Sequence, residues 1–144
     1  AGAETEADLT IQTIVRDAAA NADAAIDRLA IDEAVAAIWT IVDALNGYIT
    51  VNEPWALAKD ETQRERLGTV LYTAAEGLRA LAVLLSPVIP KACEKLWIAL
   101  GAAETLGRLQ DQPIRQAGEW GQLKPGTSVN GLAPLFPRVE STVD

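Results

Sequence analysis

A chain of 144 residues, 49% hydrophobic and 22% charged, has the size of one domain and is too apolar to stay disordered. It contains no His and one Cys, Cys93, which excludes a Cys/His zinc site, a His-dependent nucleophile and an internal disulfide. The net charge of −8 is concentrated in residues 1–33, where eight acids face Arg16 and Arg28, so the basic stripe of a nonspecific nucleic-acid binder is missing.

Apolar residues at three- and four-residue spacing (Ile11, Ile14, Val15, Ala18, Ala22, Ala25, Ile26, Leu29) predict a helix over about 6–29. Glu4, Glu6 and Asp8 stand at its positive end. A second helix is predicted from Ile31 or Asp32 through Ala34, Val35, Ile38, Ile41, Val42, Leu45, Tyr48 and Ile49, weakened near Asn46 and Gly47. Pro54 interrupts the pattern. It has no amide to donate and is expected to hold Glu53 extended, so a short new helical turn starts there with Trp55 at its entry.

Asp60 and Gln63 have capping-box spacing and open a helix over about 61–86, striped by Leu67, Val70, Leu71, Ala74, Leu78, Leu81, Leu84 and Leu85. The run LRALAVLLS is apolar on all sides, as a central helix would be. Pro87 ends it, and Pro90 starts a shorter helix with Cys93, Leu96, Trp97 and Leu100 inward and Gly101 as its stop. Beyond Gly101 the chain alternates turn formers with single hydrophobes. Segments 120–123 and 135–139 are candidates for a short β-hairpin; the alternative is a tail that wraps over the bundle or over a neighbouring part. The expected fold class is therefore all-α: a helical bundle over residues 1–101 and an irregular extension over 102–144.

No constellation in the chain reads as a catalytic site. Asp32 with Glu33, and Asp60 with Glu61, stand at helix starts where capping explains them. Glu76 and Arg79 read as a solvated helix pair, Cys93 as an inert buried thiol and Trp39 as a packing residue. No glycine pattern suits a phosphate loop. The first ten residues have neither region of a signal peptide and no uninterrupted apolar run reaches a membrane span, so a cytoplasmic place without membrane contact is expected. Trp55 has two readings. It is either a hydrophobic staple or a flat platform on an elbow where Asn46, Tyr48, Thr50 and Asn52 offer hydrogen bonds and Pro54 adds stiffness, which suits an unstacked RNA base.

The string LNGYITVNEPWALAKD, residues 45–60, resembles the pattern N-x-Y-[IVF]-x(4)-P-W-x-L-x-K of the helical anticodon-binding domain of methionyl-tRNA synthetases. Residues 66–101 are similar to the long helix, proline break and next helix of that domain, and 123–140 to its terminal segment ending in Phe-Pro-Arg. The resemblance covers nearly the whole chain. It implies that Trp55 stacks on a base of the CAU anticodon of methionine tRNA, supported by Pro54 and Asn46, with Thr50 where relatives often carry Asp.

It also implies what lies elsewhere. The family's HIGH and KMSKS signatures require His and Met, and this chain has neither; no N-L-x-x-R anticodon-reading pair occurs in it either. The expectation is a fragment of a bacterial synthetase beginning after the domain's first helix. Such a piece would be inactive alone and hold no cofactor, while ATP, and zinc where the parent uses it, would belong to a Rossmann-type catalytic domain. Its partners would be the anticodon stem-loop and that catalytic domain, with no DNA. The alternative is a stand-alone helical protein-interaction module with Trp55 in its core.

Overall fold

The computed structural model describes residues 4–123. Helix α1, Glu6–Asp27, starts in a reciprocal capping box: the Thr5 hydroxyl accepts from the Asp8 amide and the Asp8 carboxylate accepts from the Thr5 amide at 2.8 Å. Ile11, Val15, Ala18, Ala22 and Ala25 face the core. The stripe does not reach Leu29, which adopts a left-handed φ of 59° and stands almost fully exposed. The Leu29 amide bonds Ile26 and the Ala30 amide bonds Ala25, so Leu29 serves as a helix cap and the chain reverses.

Helix α2, Ile31–Asn52, runs unbroken through Asn46 and Gly47 and buries Ala34, Ile38, Ile41, Leu45 and Tyr48. After it come α3, Pro54–Leu57, a 3-10 turn over Glu61–Gln63, and α4, Arg64–Leu85. Asp60 caps that turn by accepting from the Thr62 amide (2.9 Å) and hydroxyl (2.6 Å), so the expected box with Gln63 is replaced by a tighter Asp-Thr contact. Helix α5, Pro90–Ala99, follows the break at Pro87. Cys93, Leu96, Trp97 and Leu100 are buried as expected, and Gly101 takes the left-handed stop, φ 75°. Helix α6, Ala102–Leu106, and 3-10 turns at Leu109–Asp111 and Ile114–Gln116 lead to the end of the described chain.

Helices α1, α2 and α4 pack together, and α5 joins the bundle through α4. The small residues Ala18, Ala19, Ala22 and Ala25 let the other helices approach α1 closely, and one continuous core links all four long helices to Leu109, Ala117 and Leu123. Helix α4 is the central element. From Thr69 to Leu84 nearly every residue is buried or half-buried, Leu71 being the exposed exception.

Two sequence expectations are corrected here. No strand occurs among the described residues: 120–123 is irregular backbone laid on the bundle, and 135–139 lies outside the described residues. Two stretches, Ile31–Leu57 and Glu61–Leu85, are long and apolar enough by composition to cross a membrane, with mean hydropathies of 1.5 and 1.3. Counting only uninterrupted apolar runs missed them, because a few polar residues interrupt each helix. The second stretch is mostly buried inside the bundle, which accounts for its composition.

Candidate nucleic-acid interface

The elbow between α2 and α4 presents Trp55. Pro54 prevents α2 from continuing in right-handed form, and Glu53 turns the chain in a single left-handed residue (φ 45°, ψ 64°), not in the extended geometry expected before proline. The Glu53 amide still bonds the Ile49 carbonyl at 3.0 Å, while its own carbonyl accepts from Ala56 and Leu57 and starts α3. The amides of Ala58, Lys59 and Asp60 each bond back three or four residues, so the elbow is hydrogen-bonded along its length. Leu57 packs on the core from below. Trp55 remains 56% exposed.

Asn46 and Thr50 lie one turn apart on the exposed face of α2, four residues being the spacing that aligns side chains. The Thr50 hydroxyl donates to the Asn46 carbonyl at 2.9 Å, which leaves its oxygen lone pairs and the Asn46 amide facing outward. Pro54 is half-buried as the first residue of α3, next to the ring. Two residues of the expected polar set are used internally. Tyr48 is buried with its hydroxyl donating to Asp8, and the Asn52 side chain bridges the Tyr48 carbonyl (2.8 Å) and Arg66 (2.6 Å).

Under the elbow lies a clasp that sequence reasoning missed. The fully buried Asp8 carboxylate accepts from Arg66 at 2.7 and 3.2 Å and from Tyr48, tying the first turn of α1 to the end of α2 and the start of α4. Burial alone would raise the Asp8 pKa. Hydrogen bonds from Arg66, Tyr48 and the Thr5 amide, with the Arg66 charge, outweigh it and hold the carboxyl below its ordinary value. Burial and the same carboxylate push Tyr48 up to about 12, and the bond to Asp8 also raises Arg66. The Thr5-x-x-Asp8 box was visible in the sequence, but nothing there pointed to a partner fifty-eight residues away.

Two further corrections concern side chains away from the elbow. Trp39 is 53% exposed on α2, because α1 and α4 cover only the opposite side of that helix. Glu76 and Arg79 are not solvated but fully buried. Glu76 accepts from the amides of Gly121 (2.7 Å), Gln122 (3.2 Å) and Leu123 (2.7 Å), and Arg79 donates to the carbonyls of Ala117 (2.9 Å) and Glu119 (3.0 Å). A charged pair three residues apart looks the same in sequence whether water or a returning chain satisfies it.

The described residues form a helical bundle whose hydrogen-bonded elbow presents one exposed aromatic ring, Trp55. The profile of the family described as the anticodon-binding domain of tRNA ligase matches residues 8–129, and the chain belongs to that family. Methionine-tRNA ligase of Streptomyces coelicolor is 45% identical over 143 residues, covering 97% of this chain and 27% of that protein. The Deinococcus radiodurans methionine-tRNA ligase is 45% identical over 119 residues, 83% of this chain and 16% of that protein. Mycobacterium tuberculosis methionyl-tRNA synthetase, solved in complex with methionyl-adenylate, superposes with a TM-score of 0.76 at 29% identity over 95% of this chain and 26% of that one. Within its family the chain is thus an anticodon-binding domain of the methionyl-tRNA synthetase kind, spanning about a quarter or less of the length of these relatives.

Proposed function

We propose that this chain reads the CAU anticodon of methionine tRNA on behalf of a cytoplasmic methionine-tRNA ligase that joins methionine to that tRNA using ATP. The observation that carries the reading is the exposed Trp55 indole on a hydrogen-bonded elbow. A base lying on that ring gains about 1 to 3 kcal/mol from stacking, and every base has a face to offer. Discrimination between bases then falls to the outward groups of Asn46 and Thr50, with Pro54 fixing the angle of α3. Activation of methionine, the binding of ATP and any zinc are assigned to a catalytic domain of the longer protein, and no residue here is given a part in them.

The rival reading, a protein-interaction module with Trp55 in its core, loses its premise because more than half of that side chain's surface is open. The deciding experiment places Trp55→Ala in the full-length ligase and compares charging of a CAU-anticodon tRNA with the wild type. A large loss of charging supports the assignment, and unchanged aminoacylation removes it.

A further inference from the structure

A second feature suited to RNA lies along α1. A cleft of about 290 Å³ opens between α1 and the segment held by Glu76 and Arg79, lined by Gln12 and Arg16 on one wall and by Arg115, Gly118, Glu119 and Trp120 on the other. The walls are fixed relative to each other. A methyl group on Gly118 would stand 2.9 Å from the Arg16 Cα, so the segment's backbone lies directly on the helix. Trp120 is half-buried and packs on the core, which leaves part of its ring toward the cleft.

The cleft brings two arginines together in an acidic chain. In a protein of net charge −8 its lining sets two guanidinium groups with one carboxylate, Glu119, while Glu4 bonds Gln12 and Asp17 stands beside Arg16. Arg16 has only a loose contact with its exposed neighbour Asp17 at 3.7 Å, and Arg115 has no ion-pair partner among the described residues. The Gln12 amide donates to Glu4, so the open donors are the two arginines. A guanidinium fork matches the oxygens of a phosphodiester, and an indole face accepts a nucleotide ring.

The cleft and the clasp share helix α1: Asp8 is eight residues from Arg16, about 12 Å along the axis at 1.5 Å per residue, and the clasp also holds Asn52, three residues before Trp55.

We propose that Arg16 and Arg115 bind a backbone phosphate of the RNA whose base lies on Trp55, with Trp120 against the adjoining nucleotide. The inference rests on the anticodon reading and adds a contact that is blind to sequence. Phosphate contacts fix position and base contacts specify, so the two sites divide the work.

The test uses the full-length ligase with Arg16→Gln, Arg115→Gln and the pair combined, measuring tRNA affinity across a series of KCl concentrations. Both side chains are exposed, so an unchanged Tm is expected to confirm folding. The salt dependence of log Kd should weaken by about 0.7 in the combined variant, the share of one phosphate on a single strand. The loss of affinity should be equal for CAU tRNA and for the same tRNA with an altered anticodon, and Arg→Lys replacements should restore the slope. A combined variant that binds with wild-type affinity and slope overturns the proposal. If Trp55→Ala meanwhile still abolishes anticodon discrimination, the anticodon reading stands and only the cleft assignment falls. If Trp55→Ala leaves discrimination intact, it is the anticodon reading that fails.

Discussion

Glu76 and Arg79, 3.1 Å apart and both shut off from solvent, hold the chain's return path against the bundle. Between them they engage five backbone groups from Ala117 to Leu123, and the Tyr72 hydroxyl adds a bond to the Leu123 carbonyl at 2.7 Å. A buried pair is favourable only when its remaining hydrogen-bonding capacity is filled, and here the returning backbone fills it.

Removing one partner should therefore be costly. Glu76→Ala leaves the Arg79 guanidinium buried without its carboxylate and strips three amides of their acceptor, a loss of about 3 to 5 kcal/mol. Urea unfolding should reveal this as a lower midpoint. Hydrogen exchange should show early loss of protection at the amides of Gly121, Gln122 and Leu123, which donate to Glu76.

Gly118→Ala tests the same docking from the other side. The added methyl would meet backbone at Arg16 and the Ala19 Cβ at 3.1 Å, and neither can rotate away. Overpacking of this kind costs about 1 to 3 kcal/mol. The expected result is a lowered Tm, and a variant as stable as wild type would mean that the segment lifts off α1 freely.

The clasp predicts an acid limb and an alkaline limb of stability. Asp8 has a lowered pKa in the folded state, so the unfolded chain binds the proton more readily and stability falls as pH drops. The contribution is complete above the ordinary carboxylate range and vanishes as pH passes down through the folded value. Tyr48 behaves in the opposite sense. Its folded pKa of about 12 stands above the ordinary value of 10.0, so its contribution is full below pH 10 and is lost as pH rises toward 12. Denaturation measured across pH should show both limbs, with Asp8→Asn flattening the acid one and Tyr48→Phe reducing the alkaline one. Tyr72, also raised to about 12, keeps part of the latter.

The exposed tryptophans should separate function from stability. Trp55→Ala and Trp39→Ala each remove a ring that is about half open, so neither should shift the unfolding midpoint by more than a fraction of what Trp97→Ala does. Only Trp55→Ala should lower charging of CAU tRNA, by roughly 5- to 150-fold for a stacking loss of about 1 to 3 kcal/mol. Equal effects of Trp39 and Trp55 on charging would argue against a specific role for the elbow.

Cys93 should resist alkylation in the folded protein. It is buried and unpaired with any base, and desolvation pushes its thiol up to about 11, so almost no thiolate exists near neutral pH. Labelling with iodoacetamide should follow global unfolding, and rapid labelling under native conditions would contradict the packing of α5 on α4.

Helix positions, the proline breaks and the inward face of α5 were legible in the sequence because each is governed by neighbours within a few residues, whereas Trp55 kept two readings there and its exposure was decided by the fold. The apolar period places Val15, Ile38 and Trp97 inside, and Pro54 forces an elbow whatever surrounds it. The roles of charged residues were decided by tertiary structure alone. Asp8 reads as a helix-dipole acid and Glu76 as half of a surface pair, yet each is buried because a partner from far along the chain supplies the donors that water would otherwise provide. Trp39 shows the converse: local pattern placed it against a neighbour, and the arrangement of α1 and α4 leaves that side of α2 bare. Short-range sterics and periodicity are written into consecutive residues, whereas the desolvation of a charge depends on which distant segment arrives to satisfy it.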